Sequence, residues 1–200
     1  VYAVPNVNWP QVGPYCANDS AVALSGGTPL GGTYSGTGVS SNVFNPMSAG
    51  AGSHVLFYSV TDSNSCSANS SQNVTVNPLG GAALSSFGSI CDNEAAFTIT
   101  GGTPTGGSYL VNGVSATSFD PGATGTGIHT ISYVFTTALG CTDTSSQLIT
   151  VNASPTVSLA SFANQCAGNS AFTLSGGNPS PGNYFINGVV GTNFNPGTLG

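Results

Sequence analysis

The sequence predicts an all-β fold made of tandem immunoglobulin-like sandwich modules, and three observations lead there. A 75-residue segment repeats, short runs of alternating hydrophobicity recur within it, and clusters of Gly, Pro, Asn and Ser punctuate those runs. No stretch has a helical period.

The repeat is read first, because it organises everything else. Cys16, Cys91 and Cys166 stand 75 residues apart, as do Cys66 and Cys141. "GGTPLGGTYSGTGV" at 26 returns as "GGTPTGGSYLVNGV" at 101 and "GGNPSPGNYFINGV" at 176. Phe44-Asn45-Pro46, Phe119-Asp120-Pro121 and Phe194-Asn195-Pro196 keep the same step, as do His54 and His129. Val1 is in register with Val76 and Val151. The expected organisation is therefore the end of a preceding module with a linker or first strand over 1–15, module 1 over 16–77, module 2 over 78–152, and an incomplete module 3 over 153–200. On this reading the chain is a window of about two and two-thirds modules, cut from a longer chain or completed by a neighbouring molecule.

The strands follow from period-two alternation. In "HTISYVFT" Ile131, Tyr133 and Phe135 share one face, and in "HVLFYSVT" Leu56, Tyr58 and Val60 take the same places. Further strands are expected at 82–87 and 157–162, at "AVALSG", "AFTITG" and "AFTLSG", at the Tyr34, Tyr109 and Tyr184 segments, and at "QNVTVN" and "QLITVN". Six or seven short strands with turns every 8 to 12 residues suit an immunoglobulin-like sandwich. The core Trp of antibody domains has no counterpart on this reading, since Trp9 falls on the linker side.

Composition narrows function. Of 200 residues 39% are hydrophobic, enough for packed cores, while 3% are charged and none is Lys or Arg. Without cations the chain cannot neutralise phosphates, so nucleic acid and anionic membrane surfaces are not expected partners. The longest apolar run, "VLFYSV", is far short of a spanning helix, so no membrane insertion is expected. Six scattered acids give a net charge of −6 with no acidic tail.

Cys16 with Cys66, and Cys91 with Cys141, recur 50 residues apart, and a disulfide inside each module is the economical reading. It implies an oxidising, extracellular setting. Zinc would need more ligands than two isolated Cys and one His per module supply. Cys166 is unpaired in this window because the position of its expected partner, 216, lies beyond the sequence, so its lone thiol reads as a boundary effect rather than a nucleophile.

No residue set reads as catalytic, and an enzyme is not expected. The "GGTPLGG" loop neither opens a helix nor carries a Lys, so it reads as a tight turn rather than a phosphate cradle. His54 and His129 read as structural hydrogen-bonding residues. Tyr34, Tyr109, Tyr184, Phe44, Phe119 and Phe194 read as core aromatics, with a sugar-stacking platform as the alternative. No cofactor is expected; calcium is the one candidate metal, through Asp92, Glu94 and Asp143 near one disulfide, although Ala17, Asp19 and Ala68 replace them in the first module.

The joint pattern of paired Cys, GG.P.GG, Tyr, NGV, F.P, His and GC resembles the tandem Ig-like, PKD-like repeats of large surface adhesins and gliding-type filament proteins secreted by Bacteroidetes bacteria. The resemblance covers both complete modules and the visible part of the third. It implies an extracellular stalk or filament without catalytic residues. "DSA" at Asp19–Ala21 resembles the O-glycosylation acceptor of such bacteria, with Ser20 as the site. The expected function is thus a structural protein of the cell surface, an adhesin stalk or filament subunit that self-associates because its edge strands lack protective charges. Its expected partner is itself or neighbouring modules, with surface glycans as a further possibility. A carbohydrate-binding array and an accessory region of a secreted enzyme are the alternatives.

Overall fold

The computed structural model describes residues 2–198, and it is all-β apart from three single-turn helices. The second module shows the plan in full. Its larger sheet runs in the order Val114–Ser115, Ser108–Val111, Gly127–Thr136, Thr142–Asn152, Ile90–Cys91. All pairs are antiparallel except the last, where Ile90 and Cys91 lie parallel to Val151 and Asn152. The opposite layer pairs Phe97–Thr98 with Ser118–Phe119 and Ala83–Leu84 with Gly102–Thr103. Alternation sends Ile131, Tyr133, Ile149 and Val151 inward from the long hairpin, where they meet Leu84, Ile99 and Phe119.

The first module repeats this plan on the hairpin Gly52–Thr61 and Ser67–Asn77, flanked by Thr33–Gly36 and by Tyr15–Cys16, again parallel to the hairpin's end. Leu56, Tyr58, Val60, Val74 and Val76 fill its core with Phe44. Trp9 is in that core as well, 1% exposed, with its indole N–H donated to the Ser70 carbonyl at 3.2 Å. The expected boundary is corrected accordingly: Asn8 bridges Thr28 as Ala83 pairs with Thr103, so the segment from Asn8 belongs to module 1, and Trp9 stands where Leu84 stands in module 2. A large apolar ring on a short edge segment reads as linker until the strand that covers it is known.

The F-N/D-P motif has a local cause that periodicity does not reveal. Asn45 and Asp120 cap one-turn helices, Pro46–Ala49 and Pro121–Thr124, each accepting two backbone N–H bonds, with Pro in the first turn where a missing N–H is harmless. The preceding Phe is buried and anchors the turn to the core. Helices of four residues are too short to leave a period of 3.6 in the sequence.

The third module has the smaller layer, Ser158–Leu159 with Gly177–Asn178 and Phe172–Thr173 with Asn193–Phe194, and a short hairpin Phe185–Ile186/Val189–Val190. The 200 residues contain no counterpart of the long hairpin for it. Leu159 is 56% exposed where Leu84 is 6%. An apolar trough of about 1010 Å³, lined by Leu159, Phe162, Phe172, Leu174, Tyr184 and Phe194, lies where the hairpin packs in the other modules.

Candidate functional site

The cysteines mark opposite poles of each module. Cys66 and Cys141 close the turns of the long hairpins by the same pattern: Asp62 N–H donates to the Cys66 carbonyl and Thr137 N–H to that of Cys141. The Cys66 N–H in turn reaches the Asp62 carboxylate at 2.9 Å, and the Cys141 N–H reaches the Thr137 hydroxyl at 3.1 Å. Cys16 and Cys91 lie at the far end, paired with Asn77 and Asn152, the last residues of the same hairpins. Here too the local geometry repeats, since Cys16 N–H donates to Asp19 and Cys91 N–H to Glu94.

A strand of 11 residues separates the two poles, about 35 Å at the strand rise per residue. A disulfide needs Cα atoms only about 4.4–6.8 Å apart, so neither Cys16–Cys66 nor Cys91–Cys141 can close inside a module. The expected pairing is corrected: Cys16 bonds Cys141, with Cα atoms 5.5 Å apart and a sequence separation of 125. Cys66, Cys91 and Cys166 are unpaired among the described residues. The spacing of 50 residues did mark two recurring places, but not which module supplies the partner.

The disulfide sits in a junction with three further contacts. Asn18 donates its side-chain N–H to the Thr142 carbonyl at 2.9 Å. The linker after Asn77 runs beside the second hairpin, where Ala82 N–H donates to the Asp143 carboxylate at 2.8 Å. Gly80 packs so closely on Phe135 that a Cβ there would fall 2.3 Å from the ring. Sequence reasoning missed Asp143 as an anchor; its one visible signal was that it breaks the repeat, with Ala68 at the equivalent place.

The other candidate residues serve the modules themselves. His54 Nε2 is 2.8 Å from the Gly50 carbonyl and His129 Nε2 is 2.9 Å from that of Gly125. Because a carbonyl only accepts, each ring carries its proton on Nε2 and ties the one-turn helix to the hairpin. Asp92 accepts from Ser154 N–H, Glu94 from Cys91 N–H, and Asp143 from Ala82 N–H. Asp92 and Glu94 lie at one pole and Asp143 at the other, so the carboxylates expected to gather near one disulfide do not meet. Ser20 is exposed in the loop after Cys16.

The aromatic residues are spent on packing and on the glycine loop. Phe44 and Phe119 are buried, and Tyr34 meets Trp9 edge to face at 5.3 Å. In "GGTPLGG" the Gly27 N–H donates to Tyr34 Oη at 2.8 Å, and the Gly32 N–H donates to Tyr58 Oη at 2.9 Å. Tyr58 then donates to the Pro29 carbonyl at 2.7 Å. A Cβ at Gly27 would lie 2.4 Å from the Tyr58 ring, which is why glycine is required. Gly102, Gly107, Tyr109, Tyr133 and Pro104 repeat the arrangement. The loop is a wrapped turn, and its amides are already used by tyrosine hydroxyls.

No family model matches the chain, and no curated protein matches it. Among solved structures it is similar to SGBP-B of the Bacteroides ovatus mixed-linkage glucan utilization locus, solved in complex with a mixed-linkage heptasaccharide, at 17% identity and a TM-score of 0.28 over 76% of this chain. It is also similar to a calcium-stabilised adhesin of an ice-binding Antarctic bacterium, at 15% identity and a TM-score of 0.36 over 90% of this chain. A third similarity is to immunoglobulin domains 1–4 of Sidekick-1, at 12% identity and a TM-score of 0.28 over 94% of this chain. The chain spans 48%, 60% and 63% of the lengths of those three chains.

Proposed function

We propose that this chain is a load-bearing extracellular rod, the repeat stalk of a surface adhesin or the subunit of a filament, that works through module stacking and self-association. The observation that carries the reading is the Cys16–Cys141 disulfide, which ties the exit pole of one module to the entry pole of the next. Disulfides persist in oxidising, extracellular settings. Tension entering before Cys16 crosses the sulfur bridge to Cys141 and leaves along Thr142–Asn152. The residues between the two cysteines, most of both modules, carry none of it. A chain without Lys or Arg also lacks the usual charge protection of strand edges, which favours association between copies.

Pulling single molecules by their ends tests this directly. With the disulfide intact, unfolding of the first two modules should release only the short stretches outside the ring of separation 125. After reduction the same modules should add roughly 400 Å of contour length, at ~3.3–3.6 Å per extended residue. A full-length increment from the unreduced chain overturns the load-bearing reading.

A further inference from the structure

We propose that two copies of this chain associate edge to edge, the strand Thr33–Gly36 of one pairing antiparallel with Thr33–Gly36 of the other. The proposal rests on the self-association in the rod reading and assigns it a surface.

This edge is closed in modules 2 and 3 and open in module 1, and a two-residue difference is the cause. Asn112-Gly113 and Asn187-Gly188 form tight turns with positive φ, 49° and 83° in module 2 and 48° and 81° in module 3, the turn that Asn-Gly favours. In module 2 the turn folds Val114–Ser115 back onto Ser108–Val111, and Ala116 N–H donates to the Tyr109 carbonyl. Module 1 has Thr37-Gly38 in that place, and a β-branched residue resists positive φ. The turn moves to Ser41 and Asn42, at φ 49° and 61°, so Val39–Ser40 pairs with Val43–Phe44 in the opposite layer. Thr33–Gly36 is left as the outermost strand of its sheet.

Alternation fixes which backbone groups face out. Tyr34 N–H donates to Asn42 Oδ1 at 2.8 Å, away from the long hairpin, so Tyr34 and Gly36 present their N–H and C=O groups at the edge while Thr33 and Ser35 spend theirs on Ser59 and Phe57. The Tyr34 carbonyl and both Gly36 groups have no partner among the described residues. Gly36 is exposed, and no residue from 33 to 42 is charged, so nothing on the edge repels a copy of itself.

A second copy is the partner this edge fits. A two-fold axis beside Ser35 sets Ser35 opposite its mate and Tyr34 opposite the mate of Gly36. Each Gly36 N–H then donates to the Tyr34 carbonyl of the other copy, and neither bond displaces an internal one. Two more form when Asn42 swings out and releases the Tyr34 N–H. Module 2 shows that the sheet accepts a strand here, since Val111 and Tyr109, the counterparts of Gly36 and Tyr34, are paired by Val114 and Ala116. The contact is isologous, so it closes at two copies and lays two rods side by side.

Sedimentation of the full chain over a concentration series, with amide exchange followed by NMR, tests the pairing. A reversible dimer is expected, and protection of the Gly36 N–H should rise with concentration. Thr37→Asn restores the internal turn and should abolish the dimer with an unchanged circular dichroism spectrum. Asn42→Gly keeps the positive φ, frees the Tyr34 N–H, and should tighten the dimer about fivefold. With Cys66, Cys91 and Cys166 replaced by Ser, Ser35→Cys should oxidise to a covalent dimer, because Cβ atoms directly opposite lie about 4.5–5.5 Å apart. Ser53→Cys, on the same sheet face, should not. A dimer that survives Thr37→Asn uses another surface and overturns the proposal while self-association stands; a monomer at every concentration overturns both. Gly36 protection that ignores concentration means that Val39–Ser40 closes the edge from within, and overturns it too. The Cys16–Cys141 shunt is read on single molecules, so the load-bearing reading stands or fails separately.

Discussion

The interiors of the first two modules are near copies, whereas the junction between them has no copy among the described residues. Phe44 and Phe119 are 0% and 1% exposed, and Asn45 and Asp120 hold the same backbone angles, φ −113° and ψ 106°. At the junction, Asp143 anchors the linker where module 1 has Ala68, and the bonded cysteines are 125 residues apart, which is not a multiple of the 75-residue repeat. An interior contact joins two places within one unit, so one unit's sequence specifies it. A junction contact joins the far pole of one unit to the near pole of the next, and it depends on how the units stack.

That contrast can be broken at the junction first. Cys16→Ser opens a loop of separation 125, a constraint worth about 5 kcal/mol on the chain-entropy argument when both modules unfold. Each core is left intact, so calorimetry should show the first two modules melting together in the native chain and as separate, lower transitions in the variant. A single unshifted transition in the variant would mean that the bridge contributes neither stability nor coupling to the pair.

Within one module a smaller and strictly local loss is expected. At Gly107 a Cβ would lie 2.4 Å from Tyr133 Cζ and 2.5 Å from the Val134 carbonyl oxygen. Gly107→Ala should therefore destabilise module 2 by about 1–3 kcal/mol through overpacking. Urea melts followed by a probe in each module should shift for module 2 and leave module 1 in place. The smallest effect belongs to the cap: Asp120→Ala removes two accepted N–H bonds and should cost about 1 kcal/mol, read in the same assay.

Much of the fold was legible because it is written in local pattern. Leu56, Tyr58 and Val60, and Ile131, Tyr133 and Phe135, point to the core on alternation alone, and five of these six are buried. The glycine loop was legible as a turn from its failure to open a helix. Which hydroxyls it wraps was not, because Tyr58 and Tyr133 are 26 residues from Gly32 and Gly107. Trp9 was misplaced because its segment is held only by the one-residue bridge of the neighbouring Asn8 to Thr28, which leaves no alternating run to read. The disulfide partners were misread because the parallel pairing of Tyr15–Cys16 with Val76–Asn77, which carries Cys16 to the pole away from Cys66, has no local signature.

By itself the sequence determined the repeat, the sandwich class, the inward faces of the hairpins and the absence of any cation to meet phosphate. Those properties follow from composition and from periods of two and 75 residues, which act along the chain. Only the tertiary structure decided which cysteines meet, because a disulfide is chosen by a distance of a few ångströms in space. A module with its cysteines at opposite poles cannot satisfy that distance alone, and the stacked pair can.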